Sequence, residues 1–116
     1  MPEKPQVHYV YFIHQPSPCC LKIGMTGNLR RRVKQILRGN PNRLFLEGAI
    51  ECPNMRTAKR IEEALHVQYG NYRLAGEWFS ISLEEVNKIG TWLYILGELQ
   101  PVECRVMIRN LREELR

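Results

Sequence analysis

The sequence predicts a single α+β domain in which helices flank a small sheet of three strands that contains antiparallel pairs. Two short apolar runs, at 9–13 and 21–24, are joined by a proline-containing segment that is too short for a parallel crossover. Apolar residues at helical spacing follow each of two asparagines, Asn28 and Asn54. The chain has 116 residues, 44% of them hydrophobic and 25% charged, which is enough for one modest core but not for two.

The first two strands are predicted to form a hairpin. Residues 9–13 are aromatic and β-branched, which suits a pleated strand, and their alternation puts Tyr9 and Tyr11 on one face. The prolines in 15–18 cannot continue a strand, because each lacks a backbone donor and fixes φ. Residues 21–24 form the returning strand, with Lys22 on the face opposite its apolar neighbours.

Helices follow at two N-caps, with a third strand between them. Asn28 can cap a first helix whose apolar residues include Val33, and the turn at 39–42 ends it. Residues 44–50 are predicted to form the third strand, interrupted or bulged at Gly48. Asn54 can cap a second helix over 55–69. The apolar stripe of that helix is Ala58, Ile61, Leu65 and Tyr69.

The C-terminal region, 83–116, is predicted to be an additional helical hairpin. Ser82 and Glu85 have the spacing of a capping box, and Pro101 fits the first turn of a last helix. The two predicted apolar stripes are Val86, Ile89, Leu93 and Leu96, then Cys104, Ile108, Leu111 and Leu115. The last helix either packs on the domain or offers a homodimer surface.

Positive charge is concentrated in one segment of the chain, whose formal net charge is +5. The segment contains no acid before Glu47, and its basic residues are Lys22, Arg30, Arg31, Arg32, Lys34, Arg38 and Arg43. Such a patch is either a solvated helix face or the electrostatic footprint of a polyanion site. Charge alone favours the solvated face, so a nucleic-acid partner needs further support from the sequence.

Composition argues against several other classes. No apolar run approaches the roughly 20 residues needed to cross a bilayer, and no secretory signal is visible, so we expect an intracellular protein and no membrane partner. The four cysteines form no disulfide framework. A zinc site from Cys19, Cys20, His14 and Cys52 would be strained, so we expect free thiols and no structural zinc.

Several ordered blocks together resemble one family. They are YVY at 9–11, KIG at 22–24, NLRRRV at 28–33, IEEALH at 61–66 and GEWF at 76–79. Over about residues 7–82 this order is similar to the GIY-YIG nuclease superfamily. Within it, the chain resembles the phage-open-reading-frame branch, which is also named after a meiotically up-regulated yeast gene.

The resemblance implies a metal-dependent DNA endonuclease with one active site. Tyr11 would be the base or would orient the attacking water, and Arg32 would hold the scissile phosphate. Glu62 would bind one Mg²⁺ or Mn²⁺, and His66 would be its supporting partner or an alternative base. Further phosphate contacts are assigned to Arg30, Arg31, Lys34 and Arg38. Without the resemblance, Tyr11 is equally well an ordinary strand aromatic. The residues alone favour an exposed helix acid for Glu62 and a structural histidine for His66.

Two departures from the family pattern put turnover in doubt more than fold. Lys22 stands where many active members have tyrosine, although this branch commonly carries lysine there. The late asparagine of the family has no clear match, and around that point Glu77 is either a hydrogen-bond partner or a second acid near the metal. The alternative functions are therefore a catalytically inactive nucleic-acid-binding module and a protein-interaction domain using the last helix. The sequence does not distinguish DNA from RNA.

Overall fold

The protein is built on one antiparallel sheet, seen in a computed structural model that describes residues 6–85 and 88–89 and the backbone of 105–107. Its described elements, in chain order, are β1 (His8–Gln15), β2 (Cys20–Thr26), α1 (Leu29–Gly39), β3 (Phe45–Cys52), α2 (Met55–Gln68), a 3-10 turn (Gly70–Tyr72), β4 (Arg73–Ala75), β5 (Trp78–Phe79) and β6 (Arg105–Met107). The sheet order is β4-β5-β2-β1-β3-β6, and every described pairing is antiparallel. The predicted α+β class is confirmed, with more strands than the three expected.

The central strand β1 fixes the register of the sheet. Tyr11 pairs with Gly24 of β2 on one side and with Ala49 of β3 on the other. The β1–β3 register shifts next to Phe12, which lies opposite Gly48, so the predicted bulge at this glycine is confirmed. Directly opposite residues share a face of the sheet, so Tyr11 and Gly24 lie on the same side.

The two described helices cover opposite faces of the sheet. Val33 of α1 is fully buried in a cluster that contains Tyr11, Ile13, Leu44, Leu46 and Ala49. The helix α2 buries Ala58, Ile61 and Leu65 against the other face, in a cluster that contains Val10, Phe12, Leu21, Ile23, Ile50 and Phe79. The sheet is therefore the middle layer, and side chains from both helices can meet only around its edges.

Both predicted N-caps are present and fix where the helices begin. The side chain of Asn28 accepts a hydrogen bond from the backbone N–H of Arg31 at 3.1 Å. The side chain of Asn54 accepts one from Thr57 at 2.8 Å. Each bond satisfies a backbone donor that the first helical turn leaves without an intrahelical partner. Neither described helix is long and apolar enough to span a membrane.

A short hairpin after α2 extends the sheet beyond β2. Strands β4 and β5 are joined at Gly76, whose φ of 56° lies in the left-handed region that favours glycine. Arg73 Nε donates to the carbonyl of Gly76 at 2.7 Å, which ties the turn together. Phe79 is fully buried, whereas Trp78 is half-buried.

The prediction of a last helix starting at Pro101 is wrong at 105–107. These residues form β6, which pairs with residues 49–51 of β3. Without it, this edge of β3 would present unpaired backbone donors and acceptors, and a strand with Val106 at its centre satisfies them. The other predicted stripe residues of this helix, Cys104, Ile108, Leu111 and Leu115, and the proposed homodimer surface lie outside the described residues.

The first half of the predicted C-terminal hairpin is partly described. Residues 84–85 and 88–89 are helical, and Ile89 is fully buried, in agreement with its predicted stripe. The backbone N–H of Glu85 donates to the carbonyl of Ser82 at 3.1 Å, while the Glu85 carboxylate accepts from Tyr69 and Lys88. Val86, Leu93 and Leu96 lie outside the described residues.

The described cysteines are free thiols. Cys20 and Cys52 are buried, whereas Cys19 is exposed, with its Sγ 3.8 Å from Nε2 of His14. Burial raises the pKa of the Cys20 thiol, and the neighbouring Cys19 adds to this effect. Within the described ranges, no three His, Cys, Asp or Glu side chains converge as a metal-binding group.

Candidate active site

Tyr11 and Gly24 define the centre of the candidate site. Tyr11 is only 1% exposed, and it lies directly across the β1–β2 pair from Gly24. A Cβ built on Gly24 would lie 2.6 Å from Cζ of Tyr11 and 2.8 Å from Oε2 of Glu77. The missing side chain therefore leaves the space in which the phenol and the carboxylate come together.

Arg32 reaches this centre from the first turns of α1. Because Val33 is buried against the sheet, the residue before it lies at the rim of the buried face, exposed to solvent. The Arg32 side chain is hydrogen-bonded to the Tyr11 side chain, with the guanidinium donating. The bond and the nearby phenol raise the pKa of Arg32, so this side chain stays charged.

The pKa of Tyr11 lies above its ordinary value. Burial is the largest cause, and the nearby carboxylates of Glu77 and Glu62 act in the same direction. The hydrogen bond and the charge of Arg32 lower this pKa, but by less than the other causes raise it. In the protein without a bound cation, Tyr11 is therefore a neutral phenol at neutral pH, oriented by Arg32.

Lys22 lies on the same face, paired with Glu77, the residue that precedes β5. Its Nζ is 3.2 Å from Oε2 of Glu77 and 5.5 Å from the centre of the Trp78 ring. The backbone N–H of Ile23 donates to the carbonyl of Glu77 at 3.0 Å, which fixes the start of β5 beside β2. The Lys22 side chain is 14% exposed, so its charge is held in a partly desolvated setting.

Glu62 approaches from α2, on the other face of the sheet. Its neighbour Ile61 is fully buried, so Glu62 lies at the border of the buried stripe of α2. Its Oε2 atom is buried and has no hydrogen-bond partner among the described residues. Burial raises the pKa of the Glu62 carboxyl, and so does Glu77, whereas the charge of His66 lowers it.

His66 is held against β2 one turn after Glu62. Its Nε2 lies 2.9 Å from the carbonyl oxygen of Ile23, and because a carbonyl only accepts, this nitrogen carries the proton. The imidazole also lies against Phe79, with ring centres 5.0 Å apart. These contacts give His66 a fixed position next to Glu62; its role in catalysis stays a prediction.

The other predicted nucleic-acid contacts line the surface of α1. The structure brings Tyr11, Lys22, Arg32 and Glu62 into one electrostatic group around Gly24. Four further predicted residues are exposed along the helix, outside that group: Arg30, Arg31, Lys34 and Arg38. The first turn of α1 contains no acid. This part of the surface is therefore positively charged.

Glu77 is the residue for which sequence reasoning left two roles open. Its ion pair with Lys22 joins β2 to the turn before β5, which is far away in the sequence, and no periodic pattern predicts such a pairing. The GEWF block is the one sequence signal that points to it.

The donors present fit a hard cation such as Mg²⁺. The buried, unpartnered oxygen of Glu62 is the kind of atom that a cation would satisfy, and Glu77 supplies a second carboxylate nearby. Mg²⁺ commonly takes only one or two protein carboxylates and completes its shell with water and phosphate oxygens. The absence of a three-residue cluster in the described ranges is compatible with that mode of binding.

A separate cavity of about 350 Å³ lies at the C-terminal end of α2. Tyr69, Tyr72, Ser80 and Glu85 are among its lining residues, and none of the group around Gly24 contributes to it. Because the tyrosine, the basic side chains and the two carboxylates gather around Gly24 and not around this cavity, we assign the candidate site to the Gly24 group.

The fold and this group define a small antiparallel α+β domain that gathers a tyrosine, an arginine, a lysine and two carboxylates beside a basic helix. The T5orf172 domain matches residues 8–93, and the chain belongs to that domain family. This membership supports a nuclease-like or DNA-binding module. Comparisons with curated proteins and with solved structures gave no match.

Proposed function

We propose that this chain is a metal-dependent endonuclease of the GIY-YIG type that hydrolyses DNA phosphodiester bonds at the Gly24 group. One observation carries the proposal. Among the described residues, the buried Glu62 Oε2 lacks a hydrogen-bond partner, and it belongs to the same electrostatic group as the hydrogen-bonded pair Tyr11–Arg32. A buried carboxylate oxygen is costly unless something binds it, and a divalent cation at Glu62 would do so.

The reaction needs a water nucleophile, a proton acceptor and positive charge for the transition state. A bound Mg²⁺ or Mn²⁺ supplies Lewis acidity and lowers the pKa of a coordinated water. Arg32 is exposed and permanently charged, so it is suited to hold two oxygens of the scissile phosphate. Lys22 adds a second positive charge on the same face.

Tyr11 serves first to orient the attacking water. Its phenol is neutral in the protein alone, because burial and the two carboxylates raise its pKa. The oxygen accepts a bond from Arg32, which leaves the O–H free to point at a water. Tyr11 becomes a proton acceptor only when the negative charges of Glu62 and Glu77 are offset.

The basic surface of α1 would bind phosphates on either side of the cut. Its exposed cations are suited to contact with the backbone of DNA, and such contacts carry no base specificity. The same contacts would serve RNA. We place this activity inside the cell.

Nicking of supercoiled plasmid tests the proposal. The wild-type protein, Glu62→Gln and Glu63→Gln are each assayed with Mg²⁺, with Mn²⁺ and with a chelator. Glu63 is the matched control because it is the exposed neighbour of Glu62 on the same helix. We expect metal-dependent nicking by the wild type and by Glu63→Gln, and none by Glu62→Gln.

The alternative is a catalytically inactive module that binds nucleic acid. The raised pKa of Tyr11 favours it, since a protonated phenol cannot accept the proton of the attacking water. Wild-type protein that binds the plasmid in a salt-sensitive manner but never nicks it would establish this alternative. Equal nicking by the wild type and Glu62→Gln would place the metal elsewhere or indicate a contaminant.

A further inference from the structure

We infer that Glu77 is a second carboxylate of the cation site. Lys22 is then the counter-ion that a bound cation displaces from Glu77. The inference rests on the proposed function. It decides between the two roles that the sequence leaves open for Glu77, and it adds a competitor for that carboxylate. It makes Lys22 and the cation alternative partners of one carboxylate.

The position of Glu77 is fixed by backbone contacts on both sides. Its carbonyl accepts from Ile23 at 3.0 Å, and the preceding Gly76 accepts from Arg73 at 2.7 Å. The left-handed φ of Gly76 sets the direction in which the chain enters β5. A surface acid on a loose loop would have none of these constraints, so the structure holds this carboxylate in place.

The carboxylate of Glu77 lies where the other site groups converge. Its Oε2 is 3.2 Å from Nζ of Lys22 and would be 2.8 Å from a Cβ on Gly24, the same point that the Tyr11 ring approaches. The Glu77 side chain keeps 34% of its surface exposed. One side of the carboxylate is therefore held by Lys22, and another is open to a ligand.

The single positive charge of Lys22 does not balance the two carboxylates of this group. Glu62 and Glu77 are close enough to repel each other, while Glu62 has a buried oxygen without a hydrogen-bond partner in the described part of the chain. Lys22 pairs with Glu77 by direct contact and acts on Glu62 only as a nearby charge. A divalent cation shared by both carboxylates would satisfy the buried oxygen and remove the repulsion.

Binding of Mn²⁺ to the protein alone tests the inference without any substrate. Isothermal titration calorimetry compares the wild type with Glu77→Gln, Glu62→Gln and Lys22→Met, and Glu63→Gln is the exposed control. We expect Glu77→Gln to weaken Mn²⁺ binding about tenfold or more, in the range by which carboxylate partners of metal sites act. We expect Lys22→Met to tighten it several-fold, because the competing ammonium is gone.

The two variants of the ion pair separate a ligand from a merely structural partner. Charge alone would also shift the affinity in opposite directions, because Glu77 and Lys22 both act on Glu62 electrostatically, but those shifts shrink as the salt concentration rises. A loss of about tenfold in Glu77→Gln that persists at high salt supports the inference, and a loss that disappears there overturns it. Tighter binding in Lys22→Met at high salt gives a second readout even if Glu77→Gln folds poorly. Thermal unfolding of each variant without metal checks the fold.

Failure of this inference differs from failure of the proposed function. Wild-type Mn²⁺ affinity in Glu77→Gln, together with lost binding and nicking in Glu62→Gln, would overturn the role of Glu77 and leave the nuclease in place. A wild-type protein that binds no Mn²⁺ at all would overturn both.

Discussion

The ring of Tyr11 occupies the space that a side chain at Gly24 would need. The two residues are paired across β1 and β2, and a Cβ on Gly24 would lie 2.6 Å from Cζ of Tyr11. Real Cβ atoms essentially never approach other atoms so closely. The glycine is therefore required by the close approach of a buried phenol, and not by its own backbone conformation, since its φ is not in the left-handed region.

Gly24→Ala should destabilise the fold and damage the site. The added methyl must displace the Tyr11 ring or the Glu77 carboxylate, and overpacking of this kind costs about 1–3 kcal/mol. Urea denaturation measures the change in the free energy of unfolding, and plasmid nicking measures the change in activity. Gly39→Ala is the control, because nothing lies within 4 Å of a Cβ at that position. Wild-type stability in Gly24→Ala would contradict the close approach.

Arg32→Lys should abolish most of the cleavage while the fold survives. Lysine keeps the positive charge but cannot donate to two phosphate oxygens with a planar fork, and loss of one such donor costs about 10²–10³ in rate. Arg32 is exposed, so its replacement should lower the free energy of unfolding by no more than the bond to Tyr11 contributes, about 0.5–1.5 kcal/mol.

The control for this prediction is Arg31→Lys, in the neighbouring residue of the same helix. The two side chains point about 100° apart around α1. Arg32 contributes to the pKa shift of Tyr11, whereas Arg31 is not among the causes of that shift. Single-turnover cleavage should be near wild type in Arg31→Lys. Equal losses in both variants would mean that the helix contributes only general positive charge.

The hairpin, the first three strands and both helix starts were predictable because their signals are local. Asn28 and Asn54 precede apolar residues at helical spacing, and their side chains make the expected capping bonds. Strands β4 and β5 are three and two residues long, which is too short for any periodicity to show. Their pairing with β2 depends on long-range contacts that the sequence does not display.

The prediction at the C-terminus was wrong for a physical reason. Apolar residues at 104, 108, 111 and 115 fit one helical stripe, yet 105–107 pair with β3. Helical spacing describes how a segment would bury itself, whereas an open strand edge offers backbone hydrogen bonds that compete with it. At 105–107, pairing with the open edge of β3 prevailed over the helical pattern.

The candidate site was predictable only in part. The order of motifs indicates Tyr11, Arg32 and Glu62, and the structure brings them into one electrostatic group. The ion pair of Lys22 with Glu77 and the bond of His66 to the carbonyl of Ile23 were not predicted, because each joins segments that meet only in the folded sheet.

Replacement of Lys34 and Arg38 by alanine should weaken DNA binding and reduce its salt dependence. Each phosphate contact to duplex DNA contributes about 0.9 to the slope of log K against log salt, so the double variant should lose about 2. Fluorescence anisotropy with a short duplex at several salt concentrations measures this slope. Lys88→Ala is the control, because Lys88 is paired with Glu85, which lines the separate cavity. An unchanged slope in the double variant would exclude these residues as phosphate contacts.

Tyr69→Phe should make the protein less sensitive to alkaline pH. Burial raises the pKa of Tyr69, and Glu85 raises it further by its charge and by accepting the phenol hydrogen bond at 3.2 Å. Above about pH 10 the unfolded chain releases this proton while the folded protein retains it, so wild-type stability falls as the pH rises. At neutral pH the variant should be less stable by about 0.5–1.5 kcal/mol, because it lacks the hydrogen bond.

Urea denaturation between about pH 7 and pH 11 should therefore show the two stabilities converging. Tyr72→Phe, in an exposed side chain, is the control and should fall in parallel with the wild type. A constant gap between wild type and Tyr69→Phe across this range would mean that Tyr69 titrates alike in the folded and unfolded states.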